Sequence, residues 1–187
     1  MTAFTTEKID VEPWFDMELF MGVSQETRLG GDVMDRFMTL WKNWLPHLTV
    51  KGIDTGKIKY LLVALDESVE QDVDKAWEGS PSNAFLYNAL AQTMCMAAVH
   101  AVIPEVQDAG CAPAPNPTAT LREALEAEGI PYSNDKDPIL SRRYAVVTHY
   151  PFKGGCEICV LQSNCPKGQG QMEAASVVLP GYERPQL

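Results

Sequence analysis

Apolar residues recur at helical spacing over most of the chain. Between a glycine pair and Pro46, apolar and aromatic side chains return at steps of three and four residues, which predicts an amphipathic helix. Asp32 is its candidate N-cap. The helix carries an aromatic stripe that we assign to core packing rather than to a cofactor: Phe37, Trp41 and Trp44.

The apolar run 58–65 shows no readable period, so its pattern fits a buried strand as well as a helix. We assign it to a helix, because good helix formers continue after it and place Val69, Val73 and Trp77 on one face. A turn at 52–56 precedes it.

Further along the chain, the segment 84–107 is rich in Ala, Leu and Met and predicts a long helix that Pro104 kinks or ends. The proline-rich stretch 111–118 predicts a semi-rigid extended linker. A capping-box pattern at 120–123 then starts a short helix that ends at Gly129.

Strand-like alternation is clearest at 143–150, where β-branched and aromatic residues alternate. A second candidate strand lies at 175–179, and pairing of the two would form a hairpin whose long connection holds most of the cysteines. Residues 1–12 are expected to form a weakly ordered, extended lead-in.

These elements predict a mainly α fold: a helical domain with a small β-hairpin-like element and a cysteine-rich metal loop near the carboxyl terminus. We expect a single domain over 1–187, with its helical part at about 13–129 and its metal-binding part at about 139–187. A chain of 187 residues with 45% hydrophobic and 21% charged residues has enough apolar surface for one buried core.

The amino terminus has no basic start followed by an apolar run, and no window approaches the length of apolar sequence that a membrane span needs. The sequence therefore predicts a cytoplasmic protein without a membrane segment. Thiols stay reduced in that compartment, so clustered cysteines indicate metal binding rather than disulfides.

The formal net charge of −10 argues against a nucleic-acid partner, which would require a basic surface. Between residues 60 and 110, eight acidic residues face a single base, Lys75. This pattern fits a solvated helix face, and it also fits a docking face for a basic or redox partner protein.

Most of the residues that could ligate a metal lie in a short cysteine loop near the carboxyl terminus. Cys156, Cys159 and Cys165 are spaced C-x2-C-x5-C, a proline follows the last of them, and two glycines precede the first. Thiolates this close in sequence converge on one metal with little loop entropy to overcome. The loop therefore predicts a metal site, with an iron–sulfur cluster favoured over zinc because zinc sites usually pair two C-x2-C knuckles.

Three thiolates leave the fourth position open. Cys111 is favoured for a cluster because ligation by four thiolates is the norm, whereas His149 would suit a zinc site of the Cys3His type. Cys95 lies within a predicted helix and is assigned to the core, and His100 is assigned to an ordinary helix position. The flanking bases that would offset the charge of a cluster are Arg142, Arg143, Lys153 and Lys167.

The C-x2-C-x5-C-P loop at 156–166 resembles the cluster loop of endonuclease III-type DNA glycosylases, whose signature is C-x6-C-x2-C-x5-C. His149 stands where the first cysteine of that signature would be. The loop is similar as well to that of the fumarate–nitrate reduction type of oxygen-sensing regulators, in which the fourth cysteine is distant in sequence. Both families hold a [4Fe–4S] cluster, so the resemblance implies that cofactor.

The sequence contains no phosphate loop, dinucleotide-binding glycine motif, nucleophile elbow or zinc-protease helix. We therefore predict an iron–sulfur protein that transfers electrons or senses redox state or oxygen. Two alternatives stay open: a zinc-stabilised protein-interaction module, and an enzyme whose cluster keeps one iron open to substrate. No catalytic residue is identifiable from the sequence.

Overall fold

A computed structural model describes residues 4–134 and 138–168. Four antiparallel strands form one sheet in chain order: β1 (Thr5–Lys8), β2 (Leu48–Asp54), β3 (Lys59–Leu65) and β4 (Ala145–His149). The prediction of a mainly α fold with a small hairpin-like element is wrong, because this sheet makes the architecture an α+β mixture.

Strand β3 is the run that we had assigned to a helix. From Tyr60 to Leu65 every side chain is buried, because both faces of the sheet are covered. A strand buried on both faces reads as a continuous apolar run, so the alternation that would identify it is missing. Asp66 then caps the next helix, since its side chain accepts a hydrogen bond from the Ser68 N–H.

Six α-helices lie among the described residues: α1 (Met17–Ser24), α2 (Gly31–Trp44), α3 (Glu67–Gly79), α4 (Pro81–Val102), α5 (Glu105–Ala109) and α6 (Ala119–Ala127). Three short 3-10 turns accompany them: Leu45–His47, Cys156–Ile158 and Gln162–Asn164.

Several predicted helix boundaries need correction. The N-cap of α2 is Gly30 rather than the predicted Asp32, and α1 begins after its N-cap Asp16. Helix α4 spans Pro81–Val102 rather than 84–107. It stops before Pro104, one of the two outcomes predicted for that proline, because proline lacks the N–H that another helical turn would need. The predicted turn at 52–56 is also shorter, since β2 continues to Asp54.

The sheet separates two apolar layers. On one face Val50, Val63 and Val146 stand in register across three strands and pack against α1, α2 and α4. On the other face Leu62 and Val147 pack against α6. The chain is therefore layered as helices, sheet and helix.

The aromatic stripe of α2 belongs to the core, as expected, since all three of its side chains are buried. The Trp41 indole donates to the Pro13 carbonyl at 3.2 Å and the Trp44 indole donates to Asp72 at 3.0 Å, so both buried N–H groups are satisfied. On α3, Val69 and Val73 are buried as their shared face implies, whereas Trp77 is 48% exposed.

Helix α4 is long and apolar enough to cross a membrane by length and composition alone. Its buried residues pack against the sheet and the neighbouring helices, which is how the central helix of a folded core behaves.

The predicted strand at 143–150 is confirmed as β4 over Ala145–His149, and its predicted pairing with 175–179 stays a prediction. It pairs with β3, whereas the candidate partner strand at 175–179 lies outside the described residues. The lead-in at 1–12 also contributes, because Thr5–Lys8 pairs with β2. The strands β3 and β4 are far apart in sequence, and β1 lies in a weakly patterned segment. Neither pairing could therefore be predicted from the local pattern of residues.

Candidate metal centre

The cysteine loop follows β4 and is built from two 3-10 turns, Cys156–Ile158 and Gln162–Asn164. It lies alongside the proline-rich linker through a reciprocal pair of hydrogen bonds. The Val160 N–H donates to the Ala114 carbonyl at 3.0 Å, and the Ala114 N–H donates to the Cys159 Sγ at 3.4 Å. This contact brings a remote segment of the chain to the loop.

Cys111 opens that linker and lies next to the loop cysteines. Its thiol is close enough to Cys156 and Cys159 for both to influence its pKa. Burial raises the pKa of the Cys111 thiol, the nearby Lys167 ammonium opposes that rise, and the two neighbouring thiols add to it. The structure therefore gathers Cys111, Cys156 and Cys159 in one neighbourhood.

Cys165 completes the predicted ligand set and follows the second 3-10 turn. It is partly exposed, and its N–H donates to the Gln162 carbonyl at 3.3 Å. Its position on the loop is set by this turn.

The linker itself is anchored to β4. The Thr148 hydroxyl, which is buried, donates to the Pro113 carbonyl at 2.9 Å. Since Thr148 points toward the linker, the next residue along the strand, His149, projects to the opposite face of the sheet.

His149 lies on the α6 side of the sheet, where its ring is 5.5 Å from the ring of Tyr60. Burial and the Lys153 charge lower the pKa of the imidazole, so the neutral form is favoured. Its Nδ1 is buried and has no hydrogen-bond partner among the described residues. The geometry thus places Cys111 with the loop cysteines and His149 on the other side of the strand.

Cys95 is buried in the core, and its thiol donates to the Tyr144 carbonyl at 3.5 Å. Burial raises the pKa of this thiol to about 12, which keeps it protonated and inert. His100 is half-buried and lies near the Asp16 carboxylate. Neither Cys95 nor His100 therefore joins the group formed by Cys111, Cys156 and Cys159.

The four flanking bases play different parts. Lys167 lies beside Cys111, and its Nζ donates to the Ala109 carbonyl at 2.6 Å. Arg142 and Arg143 instead reach α3, where Arg143 forms an ion pair with Asp74 at 2.7 Å. Of these bases, Lys167 is placed to offset negative charge at the cysteines.

Within residues 4–134 and 138–168, no group of three or more His, Cys, Asp or Glu side chains is arranged to hold a metal ion. Ligation of one metal by Cys111, Cys156, Cys159 and Cys165 would require their side chains to turn toward a common centre. Ligand side chains that adjust on binding are usual where metal binding is coupled to local folding.

Sequence reasoning identified the four cysteines but missed the features that join them. The backbone groups of Ala109 and Ala114 carry no chemical signature in the sequence.

Comparison with known proteins found no protein-family model, no curated protein and no solved structure that matches this chain.

Proposed function

We propose that the protein binds a [4Fe–4S] cluster through Cys111, Cys156, Cys159 and Cys165, and that it transfers electrons or senses redox state or oxygen in a reducing cytoplasm. The observation that carries the proposal is the position of Cys111. This cysteine is distant in sequence from the C-x2-C-x5-C loop, yet it lies against Cys156.

The surroundings of the cysteines suit a thiolate-ligated cluster. The Ala114 N–H already donates to the Cys159 sulfur, and hydrogen bonds to sulfur are among the factors that tune the potential of a cluster. Lys167 supplies a positive charge beside Cys111. Both features stabilise negative charge on the ligands.

Electron exchange requires a surface through which a partner approaches the cluster. Val160 and Leu161 lie within the cysteine loop and are 41% and 40% exposed. We assign these two neighbouring apolar side chains to the contact with that partner. With a net charge of −10, the partner that this protein attracts is a redox protein with a basic face.

A zinc-stabilised interaction module is the second candidate function. It is favoured by His149, whose buried Nδ1 has no hydrogen-bond partner among the described residues. Zinc ligation by the three loop cysteines and this imidazole would satisfy that nitrogen. The cost is that His149 would have to move from the α6 side of β4 to the cysteine side.

Anaerobic purification followed by iron, sulfide and zinc analysis tests the proposal. We expect brown protein with about four iron and four sulfide per chain. Cys111→Ser should lower the iron content strongly, whereas the buried control Cys95→Ala should retain it.

Three other outcomes would redirect the assignment. One zinc per chain that is lost in His149→Ala would establish the zinc module. Full iron content in Cys111→Ser would move the fourth ligand elsewhere and favour an enzyme with an open iron site. Folded, reduced protein without any metal would contradict both metal functions.

A further inference from the structure

A cavity of about 530 Å³ lies between α1, α4, α5 and β4, next to the cysteine neighbourhood. Its walls are mainly apolar, and their apolar part includes Leu19, Val23, Met96, Ala112 and Val146. Cys111 lines it as well. This volume falls within the range of small-molecule sites in proteins.

A smaller cavity of about 80 Å³ adjoins the first. Asp16, His100 and Gln107 line both cavities and so mark their junction. Trp14 lines the smaller cavity and is 70% exposed, which is a large fraction for a tryptophan in a folded chain. The two cavities thus combine an apolar chamber, a carboxylate at the junction and an exposed aromatic ring.

Two carboxylates line the larger cavity, and that of Asp16, the N-cap of α1, lies at the junction. Asp16 and Glu18 both line the larger cavity, and Asp16 uses one carboxylate oxygen to accept from the Leu19 N–H at 3.0 Å. A carboxylate can accept about four hydrogen bonds, so Asp16 retains capacity for a ligand.

The end of α4 adds negative potential at the same place. His100 and Ala101 belong to its last turn, where backbone carbonyls lose their helical partners. Pro104 has no N–H to donate to the His100 carbonyl, so this carbonyl in particular lacks its usual partner. The carboxyl end of a helix favours cations for this reason.

We propose that the adjoining cavities bind a small apolar amine. Its ammonium group lies at the junction, where Asp16 and the Trp14 ring receive it by an ion pair and a cation–π contact. Its apolar body fills the larger chamber toward Met96, Val146 and Cys111. The proposal does not depend on the metal, so it stands or fails separately from the cluster.

Tryptamine is a suitable probe, with tryptophol as its neutral analogue of the same shape and indole-3-acetate as an anionic relative. We expect tryptamine to bind about tenfold more tightly than tryptophol, which corresponds to about 1.4 kcal/mol, and indole-3-acetate to bind most weakly. Calorimetric titration of the purified chain gives the three affinities.

The substitution Asp16→Asn should remove most of the preference for the amine, because asparagine still caps a helix but carries no charge. Asp66→Asn is the matched control, since Asp66 caps α3 in the same way and lines neither cavity. Val23→Phe should fill the chamber and weaken tryptamine and tryptophol alike.

The site can be located by NMR, because the chain has only three histidines and the His100 ring signals are assignable from one His100→Gln variant. Tryptamine should shift the His100 signals and leave those of His47 in place. Equal affinities for the amine and the alcohol, absence of tryptamine binding to the folded chain, or an effect of Asp66→Asn as large as that of Asp16→Asn would overturn the proposal.

Discussion

The amide of Ala114 donates a hydrogen bond to the sulfur of Cys159 at 3.4 Å, although the two residues lie 45 positions apart in the chain. This contact ties the proline-rich linker to the cysteine loop and so holds Cys111 within reach of Cys156. A backbone N–H that points at a cysteine sulfur stabilises the thiolate form, which is the form that ligates a metal.

Replacing Ala114 by proline removes this N–H while keeping the extended character of the linker. We expect Ala114→Pro to lower metal retention and to reduce the free energy of unfolding by about 1 kcal/mol, since one hydrogen bond is lost. Metal analysis and denaturant unfolding measure the two effects. Pro115→Ala leaves the Ala114 N–H in place and should retain its metal; equal losses in both variants would contradict this explanation.

The buried hydroxyl of Thr148 anchors the linker to β4 by donating to the Pro113 carbonyl. Thr148→Val leaves that carbonyl unsatisfied and should reduce the free energy of unfolding by about 1–3 kcal/mol. Thr39→Val is the matched control, because the exposed Thr39 hydroxyl also donates to a backbone carbonyl, that of Asp35. We expect thermal unfolding to separate the two variants clearly, and comparable midpoints would show that the anchor contributes little.

Labelling of the cysteines should separate one fully buried thiol from four partly exposed ones. Burial raises the pKa of Cys95 to about 12, whereas the remaining cysteines are partly exposed. In metal-free, reduced protein at neutral pH, iodoacetamide should modify the four partly exposed cysteines and leave Cys95 unmodified until the chain unfolds. Peptide mass spectrometry identifies the sites.

The same labelling reports on the metal. Bound metal should protect Cys111, Cys156, Cys159 and Cys165 together, because a ligating thiolate is not free to react. Protection of the three loop cysteines without Cys111 would show that the fourth ligand is another residue.

The ion pair between Arg143 and Asp74 links the entry of β4 to α3. The hydrogen bond from Arg143 lowers the pKa of the Asp74 carboxyl in the folded chain. A carboxyl whose pKa is lowered on folding contributes stability above its unfolded pKa, and this contribution is lost as the pH falls through the folded value. Arg143→Gln should therefore destabilise the chain at neutral pH and have a vanishing effect in strong acid.

Carbon-detected NMR titration checks the prediction directly, since the pKa of Asp74 should rise in Arg143→Gln. Arg36→Gln is the control, because the Arg36 guanidinium donates to the uncharged Asn83 side chain. An Asp74 pKa that does not respond to the loss of Arg143 would contradict the assigned cause.

Some features were predictable because they depend on neighbouring residues alone. The periodicity of α2 follows from side chains three and four positions apart, and its aromatic stripe proved to be buried. The alternation at 143–150 identified β4 in the same way. The spacing of Cys156, Cys159 and Cys165 likewise defines a candidate ligand set without reference to the rest of the fold.

Other features depend on what packs against a segment, and there the sequence was ambiguous. The run that became β3 is apolar throughout, and only the layers on its two faces show that it is a strand. Cys111, Cys95 and His149 were candidates for the fourth ligand, and only the tertiary structure shows that Cys95 is buried, that Cys111 lies near Cys156 and that His149 packs beside Tyr60.

The amino-acid sequence by itself determined the helical amphipathicity, the spacing of the loop cysteines and the net negative charge, because each is a property of adjacent residues or of composition. Only the tertiary structure decided the four-stranded sheet, the approach of Cys111 to the loop and the cavity beside it. These depend on contacts between segments far apart in the chain, whose free energy comes from burial and hydrogen bonding that no local pattern encodes.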